Sequence, residues 1–360
     1  MRLTAAMQKL AGKAKAVQPR VIFSGIQPTG VPHLGNYIGA LRQWVQLQHQ
    51  EEPETKLVYS VVDLHAITMP QPPEQLRRHK REALAALLAI GIDPDRATLF
   101  HQSSVPAHSE LMWILSCTAS VGYLSRMTQW KSKLSLSEGS TFENRTVGSR
   151  LKLGLFSYPV LQAADILIHR ATHVPVGHDQ RQHIEFAREC ATNFNYAYGP
   201  CLAMPNVLNP PVHRIMSLSD PTSKMSKSHK LERSRILITD SAKVIASKVG
   251  SALTDSISGV SYDISNRPGI SNLLDILTIF DTQGRGPEEL ADAYRDISPK
   301  QLKEMVADAV ITGLDGIRDR YLELLAKGDA YLDMIEAEGA RKARANAEET
   351  MQSVRAAVGL

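Results

Sequence analysis

Val21-Ile22-Phe23-Ser24-Gly25-Ile26-Gln27-Pro28-Thr29-Gly30, followed at once by His33-Leu34-Gly35-Asn36, is the stretch that decides the fold. The apolar run 21–25 predicts a strand buried on both faces, as strands of a parallel sheet are. Gly25, Pro28, Gly30 and Pro32 punctuate a loop after it. Tyr37, Leu41, Trp44, Val45 and Gln48 fit a helix that begins near Gly35. A strand-to-helix junction of this kind offers backbone N–H groups and a positive dipole end to a phosphate. Gly35, with no side chain, lets a base or ribose approach the backbone closely.

The same alternation continues outward. Residues 57–62 read as a second strand ending at Asp63 and His65, 73–90 as a helix with Pro73 near its start, and 97–102 as a third strand. A helix over 158–169, a fourth strand over 174–176 and a helix over 182–192 follow. This order predicts an α/β fold with a Rossmann-like, doubly wound parallel sheet, in which ligands bind beyond the carboxyl ends of the strands. From 109 the pattern turns helical, with Trp113, Leu115 and Leu124 on the apolar face, and then becomes a polar loop over 135–148. Pro205, Pro210 and Pro211 mark a rigid loop before Ile215. Beyond about 231 strand signals thin out, and helices are expected over 241–252, 270–280, 287–294, 299–326 and 331–358. The reading therefore divides the chain into a basic extension (1–20), a sheet domain (21–230) with an insertion at about 105–157, and a helical domain (231–360). The last helix is expected to fold back on the sheet domain.

Composition sets bounds on function. The chain has 360 residues, 43% of them hydrophobic and 22% charged, enough for two domains and a sizeable core. No apolar run approaches the ~18 residues of a membrane span. A net charge of +4 does not announce a nucleic-acid binder, so an RNA ligand would rest on local basic patches. Cys117, Cys190 and Cys201 form no CxxC pair, which argues against zinc and fits reduced thiols inside a cell. The first twenty residues hold Arg2, Lys9, Lys13, Lys15 and Arg20, with Leu3, Met7 and Leu10 on one helical face, and the first acidic residue is Glu51. This is the composition of a mitochondrial targeting segment; a cytoplasmic protein with a basic extension is the alternative.

The second chemical signal is Lys224-Met225-Ser226-Lys227-Ser228. Ammonium groups and hydroxyl donors on a loop suit the charge that builds on a departing pyrophosphate. Alone, such a five-residue run is a solvated basic turn. Paired with the earlier His33-Leu34-Gly35-Asn36, it resembles the signature of class I aminoacyl-tRNA synthetases. Gly35-Asn36-Tyr37-Ile38-Gly39-Ala40-Leu41, Ala163-Ala164-Asp165-Ile166-Leu167 and Val174-Pro175-Val176-Gly177-His178-Asp179-Gln180 narrow the likeness to the tryptophanyl-tRNA synthetase family, from about Val21 nearly to the C-terminus.

The resemblance implies ATP-dependent activation of L-tryptophan and transfer of the tryptophanyl group to the 3′ end of tRNA(Trp), by a homodimer with a helical anticodon-binding domain. It implies that His33 and Asn36 contact the phosphates, with Gln27 beside them, and that Lys224, Ser226 and Lys227 stabilise the leaving pyrophosphate next to Ser228. Mg2+ would bridge the phosphates. Gly35, Gly177, His178, Asp179, Ile215 and Met225 would wall the adenosine site, with Asp179 near the ribose. Asp165 would read the indole N–H, inside walls formed by Phe23, Gly25, His65, Val174 and Val176. Tyr158 and Gln180 would hold the substrate ammonium, and Lys131 and Lys133 match the edge of the ATP site. Without the resemblance, Asp165 reads as an i,i+4 partner of His169, His65 as a core histidine bonded to Asp63, and Tyr158 and the valines as plain core.

Three positions depart from the family pattern: His178 stands for glutamate, His229-Lys230 for Asp-Pro, and Gln162 for a methionine common in bacterial members. Three alternatives remain at this point: a tyrosyl enzyme, a catalytically silent RNA-binding paralogue, and a nucleotidyltransferase of the same superfamily.

Overall fold

The computed structural model describes residues 19–127, 129–134, 150–177, 180–208, 214–227 and 229–360. The basic extension up to residue 18, the polar loop 135–149, His178, Asp179 and Ser228 lie outside the described residues.

Among the described residues, five parallel strands form the sheet in the order β3-β2-β1-β4-β5. They are β1 (Val21–Ile26), β2 (Lys56–Val61), β3 (Ala97–His101), β4 (His173–Pro175) and β5 (Asn206–Leu208). The order reverses between β1 and its two neighbours, β2 and β4, which creates the crevice where ligands bind in such sheets. β5 is a strand that the sequence reading took for loop; three residues beside a proline carry too little pattern to signal it.

The two faces of β1 and β2 bury different residues. Ile22, Leu57, Tyr59 and Val61 join one apolar cluster; Val21, Phe23 and Val58 join the other. This is why both strands read as continuous apolar runs. The first cluster packs under α1 (Leu34–Asn36), a π-helical turn (Tyr37–Leu41), α2 (Arg42–Gln50) and α4 (Pro73–Ala89). In it Trp44 stacks on Tyr59 at 4.5 Å, an arrangement worth about 0.5–1.5 kcal/mol beyond burial. α3 (Asp63–Ala66) is the short turn that places His65.

The second cluster packs under α5 (Ala107–Ser116), α6 (Val121–Arg126), α7 (Gln129–Lys133), α8 (Leu153–Ile168) and α9 (Arg181–Tyr198). Trp113 is not on its apolar face: its side chain is 73% exposed, whereas Leu115 and Leu124 are buried.

Helices α10 (Ala242–Gly250), α11 (Pro268–Phe280), α12 (Pro287–Ala293), α13 (Pro299–Gly313), α14 (Ile317–Ala326) and α15 (Asp329–Val358) complete the chain. The single helix expected over 299–326 is two. Gly316 takes a left-handed φ of 71° between them, a conformation that glycine alone adopts cheaply.

α15 lies along β3, the edge strand. Gly339 permits the approach: a Cβ there would stand 1.7 Å from the Leu99 carbonyl oxygen. Leu332 and Ile335 enter the first cluster, and Ala343, Ala347, Met351 and Val354 the second. One helix thus covers an otherwise open sheet edge and joins both halves of the core.

Candidate active site

The phosphate end is built at the β1 junction. His33 caps α1: the Asn36 N–H donates to its Nδ1 at 3.2 Å, and its own N–H donates to Asn36 Oδ1 at 3.2 Å. Leu34 N–H donates to Ile236 O at 2.7 Å. The helix end expected to offer open N–H groups therefore already commits those of Leu34 and Asn36 within the protein. Burial, and then Lys227 and Lys224, lower the His33 pKa to about 3, so the ring is neutral near pH 7. With Nδ1 accepting, its proton sits on Nε2, and His33 is a hydrogen-bond donor without charge.

The lysine loop folds against this junction. Ile215–Met225 is pinned by Met225 N to Ile215 O at 3.1 Å and Ser217 N to Ser223 O at 2.8 Å. Ile215 and Met225 are buried, and Met225 Cβ lies 3.7 Å from the position a Gly35 Cβ would take. Lys227 Nζ donates to Gly30 O at 2.7 Å, Thr29 Oγ1 at 3.1 Å and Thr29 O at 3.2 Å. Burial lowers its pKa to about 8; Glu82 opposes the shift and Arg235 adds to it. Lys224 is exposed and Ser226 and Gln27 are half-buried at the same end.

The other end of the site is dry. Asp165 on α8 is 1% exposed. Its Oδ1 accepts from Gln102 Nε2 at 2.6 Å and from His108 Nδ1 at 2.7 Å, and its Oδ2 from His65 Nε2 at 2.8 Å. Burial alone would raise its pKa; the hydrogen bonds from His108 and His65 outweigh that and hold it below the usual carboxylate range. A carboxylate has about four acceptor positions, so three donors leave one.

Two sequence readings are corrected here. Asp165 does not pair with His169 across a helix turn on a solvated face. His65 bonds Asp165 rather than Asp63, whose partners are Lys80 at 2.7 Å and Ser103.

Around this core, Tyr158 meets His65 edge-on at 6.1 Å, and its hydroxyl lies 2.9 Å from His183 Nε2. Lys133 Nζ sits 4.8 Å over the Tyr158 ring, and burial lowers its pKa. Lys131 lies 5.5 Å over Trp130. Gln180 precedes α9, donates its N–H to Gly177 O at 3.0 Å and accepts from Gln162 Nε2 at 3.4 Å. Val174 is buried and Val176 half-buried. Gly25 runs tight against Val62, whose Cγ1 would lie 2.8 Å from an added Cβ. Phe23 faces the core, stacked on His169 at 5.8 Å.

Sequence reasoning missed Gln102, His108 and Asn346, and gave His169 the wrong partner: its ring nitrogens meet Asn346 and His108. His108 had a legible signal: it shares the buried face of α5 with Leu111 and Leu115, and a histidine at a core position asks for a partner.

The family described as tRNA synthetases class I (W and Y) matches residues 15–315, and the chain belongs to it. Tryptophan–tRNA ligases are among its relatives across almost its whole length. The mitochondrial one of Schizosaccharomyces pombe is 45% identical over 346 residues, covering 94% of this chain and 95% of that one. That of Bacillus subtilis is 43% identical, covering 95% and 98%. Among solved structures, the tryptophanyl-tRNA synthetase of Campylobacter jejuni complexed with ADP and tryptophan superposes with a TM-score of 0.75 at 34% identity, covering 95% and 100%. The tyrosyl-tRNA synthetase of Aeropyrum pernix, at 20% identity and a TM-score of 0.63, shares the fold.

Proposed function

We infer that this chain is an ATP-dependent tryptophan–tRNA ligase. A tryptophan carboxylate attacks the α-phosphate of ATP, giving tryptophanyl-adenylate and pyrophosphate. The tryptophanyl group then passes to a ribose hydroxyl at the 3′ end of tRNA(Trp). The observation that carries this reading is the return of Lys227, across 197 positions, to Gly30 O at 2.7 Å. It joins the two halves of the proposed phosphate site, and the buried Asp165 carboxylate supplies an acceptor able to read an indole.

The first step calls for positioning and charge neutralisation more than for a covalent nucleophile. Neutral His33 donates from Nε2 to a phosphate oxygen. Lys224, Ser226 and Lys227 act on the charge of the leaving pyrophosphate, and Lys227 exchanges carbonyl partners for phosphate oxygens as it does so. Gly35, Ile215 and Met225 flank the adenosine, with Gly177 and Asp179 beside the ribose. Asp165 offers its remaining acceptor position to the indole N–H, with His65, Val174 and Val176 around the ring and Tyr158 and Gln180 toward the ammonium. Among the described residues no group of three or more His, Cys, Asp or Glu side chains is placed to hold a metal. Mg2+ is proposed to bridge the ATP phosphates, as part of the substrate.

A homodimer is the proposed assembly, supported by Trp113, Val121 and Leu153, exposed by 73%, 60% and 78% on packed helices α5, α6 and α8. The 231–360 region is the proposed anticodon-binding unit. A mitochondrial location is proposed from the basic composition of residues 1–20 and the two mitochondrial yeast relatives, at 45% and 42% identity; the bacterial relatives are nearly as similar. Among the described residues no helix is long and apolar enough to cross a membrane.

The test is amino-acid-dependent ATP–pyrophosphate exchange with tryptophan and tyrosine supplied separately. Exchange with tryptophan alone supports the reading. Exchange with tyrosine alone reassigns the pocket, and a folded protein that exchanges with neither is no synthetase.

A further inference from the structure

We propose that the C-terminal helix sets the indole-reading carboxylate, through a buried chain of side chains that ends at Asn346. The proposal rests on the reading of Asp165 given above. The chain runs from Asp165 Oδ1 to His108 Nδ1 at 2.7 Å, from His108 Nε2 to His169 Nε2 at 3.3 Å, and from His169 Nδ1 to Asn346 Oδ1 at 2.8 Å. His108 and His169 are both 0% exposed. The chain crosses from α8 to α5, back to the residue after α8, and out to α15.

Its members cannot be ordered independently. Asp165 is ionised, so His108 Nδ1 carries a proton toward it. With Asn346 presenting its amide oxygen, His169 donates from Nδ1 and accepts at Nε2 a hydrogen bond from His108 Nε2–H, so His108 donates from both ring nitrogens, as an imidazolium does, beside the ionised Asp165. Presenting the amide nitrogen would reverse the His169–Asn346 and His108–His169 bonds, while the His108 Nδ1–H bond to the carboxylate stays as it is. Asn346 thus fixes the donor order of the two outer bonds, and by anchoring the His169 and His108 rings it holds His108 in place against Oδ1. A carboxylate held in this way keeps its fourth acceptor position pointed consistently for an incoming N–H. His108, His169 and Asn346 are positioning residues; none of them needs to touch substrate. Phe23 and Phe100 pack on the His169 ring at 5.8 and 5.5 Å, which holds it in line.

The experiment compares tryptophan with its benzothiophene analogue, in which sulfur replaces the indole N–H, by exchange kinetics. Asn346→Leu should lower the preference for tryptophan over the analogue by about tenfold, the scale set by an unpartnered buried polar group. The loss should sit in the tryptophan KM, with the ATP KM unchanged. Asn346→Asp, which keeps an acceptor in place, should restore the preference. A purely structural role would weaken both amino acids alike. His169→Phe, lying between two phenylalanines, is the second variant should Asn346→Leu not fold. If Asp165→Asn loses the preference while folded Asn346→Leu and His169→Phe keep it, the chain is refuted and the reading of Asp165 stands. If Asp165→Asn itself keeps the preference, that reading falls and the proposal with it.

Discussion

The two ends of the site solve opposite problems. Around Asp165 every partner is a side chain of the protein, every distance is fixed by packed helices, and exposure is 1%. Around Lys227 the partners are two backbone carbonyls and one hydroxyl on an adjoining loop, beside an exposed Lys224. Amino-acid choice needs an acceptor that is already aimed, because discrimination comes from leaving a wrong substrate's partner unpaired. Charge stabilisation during adenylate formation needs an ammonium that can change partners as charge moves. On the proposed reading, the buried end is complete before substrate arrives and the lysine end is completed by substrate.

Removing the acceptor should break the buried end most severely. Asp165→Ala leaves His65, His108 and Gln102 facing a void, and kcat/KM for tryptophan should fall on the order of 10³-fold, given that sites built around such bonds reject unbonded analogues strongly. Unaltered preference over tyrosine and phenylalanine would show that another residue reads the ring. Lys227→Ala should lower kcat of exchange by about 100-fold, the cost of one donor to developing charge. A raised ATP KM at unchanged kcat would mean that Lys227 only binds ground-state ATP.

Gly339→Ala reaches the buried end from a distance. Its methyl would collide with Leu99 O at 1.7 Å, so α15 must shift and carry Asn346 with it. Overpacking of this kind costs about 1–3 kcal/mol, and calorimetry should record a lower Tm. An unchanged Tm would show that α15 rides loosely on β3.

Two pH dependences sharpen the contrast. Lys227, with its pKa lowered to about 8, is charged below that pH and loses its proton as pH rises through it. kcat/KM for ATP should therefore decline on the alkaline side, and Lys227→Arg should move that limb upward; an identical limb in the arginine variant would assign it elsewhere. His33 and His169 titrate near 3 when folded against 6.5 in the unfolded chain. Between those values the unfolded state binds protons that the folded state refuses, so stability is lost as pH falls through that window. His169→Phe should flatten the slope of Tm against pH there by up to one proton.

Much of this was legible in residue order. The apolar run 21–25 and the following loop signalled the strand-to-helix junction that the structure contains, because local patterning governs such junctions, and the later lysine motif named the residue, Lys227, that folds against it. Asp165 was legible only through the surrounding Ala-Ala-Asp stretch. Its partners were not: Asp165 and His108 lie 57 positions apart, and His169 and Asn346 lie 177 apart. Long-range hydrogen bonds leave no periodicity in a sequence. The break at Gly316 was missed for the converse reason. The helical period runs on across it, and an Asp-Gly pair, itself a turn signal, was outweighed by the apolar spacing on either side.

The most direct test sets Asp165→Asn and Lys227→Ala side by side in tryptophan-dependent ATP–pyrophosphate exchange, with KM and kcat taken for both substrates. The account predicts a crossover: the first variant loses tryptophan selectivity and raises the tryptophan KM, and the second loses kcat with selectivity intact. If both variants move the same parameter in the same proportion, the two ends are not separate devices and the account is wrong.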